Sequence, residues 1–174
     1  MKLTKKILFE TIQQVLLTEL FDTSDAYDFT LKQKLEEDDY AGVIYQFTAQ
    51  KTPDSQPYEY TVEIRGFEDS DMMWDVDFHT DSIYAYGLTG EMDLKVYMTI
   101  AAIVRHFAFE VRPTYYNDMF SQLEKFYGSA QREFQGDQRR VRIYAGLLKR
   151  MGAINIETVR SQIEWDIPVA PNNK

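Results

Sequence analysis

The sequence predicts an α+β fold: an N-terminal helix, an antiparallel β-meander, a long buried helix, then a further strand, helix and strand. Three observations predict it. Residues 58–67 and 72–79 alternate apolar and polar side chains, as half-buried strands do. Residues 91–109 are apolar around most of a helical circumference, as in a helix buried against a sheet. Residues 137–151 form an arginine-bearing amphipathic stretch that stops at Gly152.

The elements follow in order. Thr4 caps a first helix to about Phe21, in which Ile7, Leu8, Ile12, Val15, Leu16 and Leu20 make one stripe. Residues 22–39 are polar and acidic and read as a loop, with a short helical turn around Leu31–Leu35. Tyr40–Ala49, rich in aromatic and β-branched residues, is a first strand. The two prolines of residues 51–57 mark a loop before the Tyr58–Phe67 strand. In that strand Tyr58, Tyr60, Val62 and Ile64 share one face, with Glu59, Glu63 and Arg65 opposite. In Met72–His79, Trp74, Val76 and Phe78 oppose Asp75, Asp77 and His79. A loop over Thr80–Gly90 leads to the long helix, which Pro113 ends. Residues 114–123 fit no one period. Lys125–Ala130 and Ile163–Ile167 are strand candidates on either side of the second amphipathic helix.

With 174 residues, 44% of them apolar, the chain can build one core, taken as a single domain over residues 1–168 with a tail at 169–174. Its N-terminus is basic and then apolar, but Glu10, Gln13 and Gln14 interrupt the apolar part and no small-residue cleavage site follows, which argues against a signal peptide. No apolar run reaches the roughly 18 residues of a membrane span. The absence of cysteine excludes disulfides and thiol chemistry.

The net charge of −9 is unevenly spread. Asp22–Asp81 carries sixteen acids against four bases, whereas Arg105–Arg160 carries ten bases against six acids. An acidic total disfavours direct binding to nucleic acid or anionic lipid. The bases Arg139, Arg140, Arg142, Lys149 and Arg150 flank an apolar stripe, as on a solvated amphipathic helix.

The order of elements resembles that of the GNAT-type N-acetyltransferases. The segment from Gly87 to Gly90 sits where those enzymes bind the pyrophosphate of CoA, and Arg140–Gly152 (RVRIYAGLLKRMG) resembles their penultimate helix. The chain is also similar, over residues 40–152, to a group of bacteriophage proteins of no settled activity. The shared motifs are YQFT (Tyr45–Thr48), WDVDF (Trp74–Phe78), YGLTG (Tyr86–Gly90), the helix Val96–Phe107, FYGSA (Phe126–Ala130) and Arg140–Arg150.

If the acetyltransferase resemblance extended to activity, acetyl-CoA would be the cofactor. Gly87, Thr89 and Gly90 would approach its phosphates, and Tyr144 would be the acid for the leaving thiolate. The chain departs from that pattern. Its two loop glycines are three residues apart rather than two, no Arg or Gln leads them, and Glu91 and Asp93 stand where phosphate would sit. A turn followed by a self-capped helix is the simpler account, with no bound cofactor. No Ser–His–Asp order, Walker loop or HExxH is present, so no catalytic residue is assigned. His106 falls inside the long helix, as a core or helix-end polar group. Asp77, His79 and Asp81 alternate on one strand face, a pattern common on exposed strands and not assigned to a metal.

The expectation is therefore a phage-encoded protein that binds another protein, a virion component or a host factor, in the host cytoplasm or the virion. Its contact surface would be the acidic face of Asp71, Asp75, Asp77 and Asp81, or the aromatic segment containing Tyr115, Tyr116 and Phe120. Two alternatives stand beside it: an acetyltransferase with an atypical CoA loop, and an acidic DNA mimic that occupies a host protein's basic groove.

Overall fold

In a computed structural model, the described residues are 26–37, 40–50, 53–67, 73–80, 94–116, 118–129, 145–159 and 162–168. The expected N-terminal helix and the Thr80–Gly90 loop lie outside them, apart from Thr80 itself.

Four strands open the described chain: β1 (Phe29–Glu37), β2 (Tyr40–Ala49), β3 (Tyr58–Phe67) and β4 (Trp74–Thr80). They form an antiparallel meander. The sequence led to a loop or helical turn where β1 stands. Phe29 pairs with Phe47 and Leu31 with Tyr45. Both Phe29 and Leu31 pack on the core, so apolar burial at the start of the segment draws a polar, acidic stretch into the sheet.

The chain then enters α1 (Leu94–His106). Val96, Met98, Ile100, Ala101, Ile103 and Val104 of this helix are buried, as its apolar circumference predicts. Thr99 is also buried. Its hydroxyl donates to the Lys95 carbonyl (2.8 Å) and accepts from the Tyr27 N–H (2.8 Å), so the polar group is satisfied in both roles. The helix does not end at Pro113. It widens into a π turn, Phe107–Val111, in which the Arg112 N–H bonds the Phe107 carbonyl. A short α2 (Arg112–Tyr115) follows, with Pro113 in its first turn, where a missing N–H is harmless. A further turn, α3 (Asp118–Ser121), leads to β5 (Lys125–Ser129).

A helix described over residues 145–150 (α4) ends at Gly152, whose φ of 92° suits glycine. The Ala153 N–H reaches the Leu148 carbonyl at 3.0 Å and the Gly152 N–H reaches the Lys149 carbonyl at 3.3 Å, the paired bonds of a Schellman ending. Two strands close the fold, β6 (Ile154–Val159) and β7 (Gln162–Asp166). The sequence did not predict β6. Its pairing with β7 shifts register between Ile154 and Glu157. Asn155 adopts a φ of 50° there, and its amide donates to the Asp166 carboxylate at 2.8 Å.

The seven strands lie in one mixed sheet in the order β1-β2-β3-β4-β5-β7-β6. Every ladder is antiparallel except β4–β5, which is parallel and short: Trp74, Asp75 and Val76 pair with Phe126, Tyr127 and Gly128. The connection between these two strands carries α1, α2 and α3. Alternate residues of β2, β3 and β4 (Val43, Tyr45, Val62, Ile64, Trp74, Val76) form the core face. Trp74 lies at its centre, with Phe107 edge-on at 4.7 Å and Tyr116 and Phe120 at 5.5 and 6.0 Å between ring centroids. Gly66 pairs with Trp74, and a Cβ at that position would meet the indole at 3.0 Å, so a side chain there would press the ring aside by a few tenths of an ångström.

The π turn places Arg112 inside the protein at 1% exposure. Its guanidinium donates to the Leu123 carbonyl (2.6 Å) and, more loosely, to the Ile167 carbonyl (3.4 and 3.5 Å), and lies 5.7 Å from the Phe126 ring centroid. Burial lowers its pKa to about 10, against the pull of Glu124. No helix among the described residues is long and apolar enough to cross a membrane.

Candidate functional site

The alternation that buries Val62, Ile64, Trp74 and Val76 sends Glu63, Arg65, Asp75 and Asp77 to the opposite sheet face. Antiparallel register sets Glu63 opposite Asp77 and Arg65 opposite Asp75. The Arg65 guanidinium lies 3.6 Å from the Glu63 carboxylate and 3.9 Å from that of Asp77. Asp77 also accepts the Phe78 N–H at 2.8 Å.

Two carboxylates thus lie within 4 Å of one guanidinium and a third, Asp75, stands opposite it in the register, at partial burial: the side chains of Glu63, Arg65 and Asp77 are 25%, 33% and 44% exposed. Burial raises the pKa of Asp75, Arg65 opposes the shift, and the neighbouring Asp77 adds to it. Asp75 and Asp77 share a face as the sequence predicts, though the face is half-buried. Asp71 and Asp81 lie outside the described residues. Glu63 and Arg65 belong to the same cluster, which sequence spacing could not show without the β3–β4 register.

The aromatic segment divides. Tyr115 is 52% exposed, with the Lys34 ammonium over its ring at 2.8 Å from the centroid. Tyr116 and Phe120 are not surface residues. Phe120 is fully buried against Trp74, and the buried Tyr116 hydroxyl donates to the Gly42 carbonyl at 2.8 Å. Trp74 needs aromatic neighbours on its helix side, and these two supply them. That corrects the expectation that both belong to a contact surface.

His106 closes α1 as a packed polar group. Its Nδ1 lies 2.9 Å from the Tyr45 hydroxyl, its Nε2 lies 3.5 Å from the Glu110 carboxylate, and Phe29 meets the ring edge-on. Burial raises the Tyr45 pKa far above the usual phenol value, with Tyr116 and Glu110 adding to the effect. Among the described residues no three His, Asp or Glu side chains converge as metal ligands, and Asp81 of the Asp77–His79–Asp81 set is not among them.

A second feature has no counterpart in the sequence reading. Among the described residues the β4–β5 pairing ends at Val76 and Gly128, while β4 continues to Thr80. Beside this point, between α1 and α4, lies a cavity of about 60 Å³. Val76 and Phe78 of β4, Ala101 and Val104 of α1, Leu148 of α4 and Trp165 of β7 contribute to its walls, and the lining side chains among the described residues are apolar or aromatic. Such walls fit a neutral acyl or thioether group and not a phosphate. Gly87, Thr89, Gly90 and Tyr144, which the resemblance assigns to CoA, lie outside the described residues. Gly128 and Trp165 come to the same wall only once β5 pairs with β7. No protein-family model matches the chain, and no curated protein matches it.

Proposed function

We propose that the protein is a phage-encoded, non-enzymatic binding protein on a GNAT-like scaffold, and that the Glu63–Arg65–Asp75–Asp77 face receives a basic surface of another protein. The partner is a virion component or a host factor, met in the virion or the host cytoplasm. The meander, the helical crossover to a parallel strand and the closing antiparallel pair support the scaffold. The excess of carboxylates over one guanidinium carries the binding assignment, because a cation from a partner would offset the burial that chiefly raises the Asp75 pKa and the smaller repulsion from Asp77. A nucleic-acid-binding host protein, with its basic groove, is one such partner.

The test is a pull-down from infected-cell lysate and from assembled particles, with wild type beside the Asp75→Lys, Asp77→Lys double variant. Loss of a protein from the double variant, with its circular dichroism unchanged, supports the assignment. An identical captured set removes this face from consideration.

The opening between β4 and β5 favours a second reading, an acetyltransferase with an atypical CoA loop, in which the apolar cavity receives the uncharged end of acetyl-CoA. Isothermal titration with acetyl-CoA and CoA tests it. Micromolar binding abolished by Gly90→Arg supports the enzyme, and no heat at millimolar ligand rejects it.

A further inference from the structure

Tyr45 is fully buried, and the hydrogen-bond partner of its hydroxyl among the described residues is the Nδ1 of His106, at 2.9 Å. A buried hydroxyl proton left without an acceptor is unfavourable, so the Tyr45 O–H donates and Nδ1 is the bare nitrogen of the ring. The ring proton is then on Nε2, which lies 3.5 Å from the carboxylate of Glu110, four residues further on. The His106 side chain is 32% exposed, so a proton from solvent reaches the imidazole although water does not reach Tyr45. We propose that His106 is a pH-sensitive clasp between the sheet and α1: neutral, it accepts the Tyr45 hydroxyl of β2; protonated, it gives up that bond and pairs with Glu110 on its own helical segment.

The groups around the ring allow this exchange. β1 presents Phe29, which is uncharged, β2 presents Tyr45, and the π turn presents Glu110. The hydroxyl of Tyr116, on α2, is taken up by the Gly42 carbonyl. Protonation places a hydrogen on Nδ1 and makes both ring nitrogens donors. Two donors then face each other across 2.9 Å, and the Tyr45 hydroxyl proton loses its acceptor inside the core. The imidazolium gains an ionic partner in Glu110 instead. His106 closes α1 where the π turn begins, so acid removes the polar tie between that junction and β2. None of these groups belongs to the Glu63–Arg65–Asp75–Asp77 face or lines the apolar cavity, so the clasp works whether or not either binds a partner or a ligand.

The test uses the full-length protein, ¹⁵N-labelled, with the two imidazoles told apart by the His106→Asn variant. At about pH 8 the expected tautomer of His106 has a bare Nδ1 and a protonated Nε2, and the Tyr45 hydroxyl proton resonates downfield. On acidification to about pH 5 that proton moves upfield in step with protonation of His106. Folding equilibria are measured by urea titration at the same two pH values. Tyr45→Phe, which keeps the ring, is expected to lower the folding constant roughly five-fold at about pH 8 and to leave it equal or higher at about pH 5. In a His106→Asn background, whose amide oxygen accepts at the Nδ1 position and does not titrate, the same substitution costs as much at both pH values. A protonated Nδ1 at about pH 8, a hydroxyl resonance that ignores the His106 titration, or a Tyr45→Phe loss that is equal at both pH values with His106 present overturns the proposal. The resonances are read on the unsubstituted protein, so they decide the matter even if a variant does not fold.

Discussion

Asp75 holds its charge at a disadvantage. Burial and the neighbouring Asp77 raise its pKa above the ordinary 3.8, with Arg65 only partly offsetting them. A carboxyl whose pKa is raised on folding contributes stability while protonated, and loses that contribution as pH rises through the folded pKa. Asp75→Asn therefore raises the thermal midpoint at pH 7, and the gain disappears at pH values below the ordinary carboxyl value. Melting curves of both proteins from acid to neutral pH check this. The same substitution is expected to weaken the proposed partner complex, so stability and binding make opposite demands on one side chain. Tyr45 and Tyr116 act at the other end of the scale. Burial raises both phenols far above the ordinary 10.0, so their contribution is present below pH 10 and is lost as pH rises beyond it. Arg112 works in the other direction, because its burial penalty is relieved as pH passes about 10. Two phenols against one guanidinium make the alkaline limb fall. Tyr116→Phe is expected to lose about 1 kcal/mol at neutral pH with the bond to Gly42. Its difference from wild type should narrow above pH 10 in urea titrations.

Among the elements, β2, β3 and β4 were legible because each buries one face and wets the other along its whole length, so a period of two survives in the sequence. In β1 the register shifts between Leu31 and Gln33. Leu31 therefore lies on the core face opposite Tyr45, while Leu35 lies opposite Gly42 on the other face. A bulge changes the phase of the apolar pattern, and no single alternation runs through the strand. β6 is bulged as well and is an edge strand, with Ile156 packed on the core. The π turn was illegible for a different reason: one extra residue per turn leaves the composition of an apolar helix unchanged. Within the site, Asp75 and Asp77 were legible from their own strand. Glu63 and Arg65 required pairing between strands, and the cavity required five elements at once. The close fit of Gly66 to Trp74 gives a sharp test of that packing. Gly66→Ala brings a methyl group to 3.0 Å from the indole and is expected to destabilise by about 1–3 kcal/mol, read from denaturant midpoints.

For the molecule as a whole, the sheet consists of two antiparallel blocks, β1–β4 and β5-β7-β6, joined among the described residues by one parallel ladder of three residue pairs. The β2–β3 ladder has ten pairs. Native-state hydrogen exchange is expected to rank them accordingly, with the amides of Phe126–Gly128 exchanging sooner than those of Val43–Phe47. Equal protection in both would mean that the two blocks open as one unit. Trp74 strengthens the junction on the side of the first block, and Arg112 ties the Leu123 carbonyl to that of Ile167 on the side of the second. If the protein bears mechanical load, as a component of a particle would, the three-pair ladder is the line along which it yields. A pull that separates the blocks sideways would part that ladder a few bonds at a time, with each block remaining folded, and the two could close again without refolding.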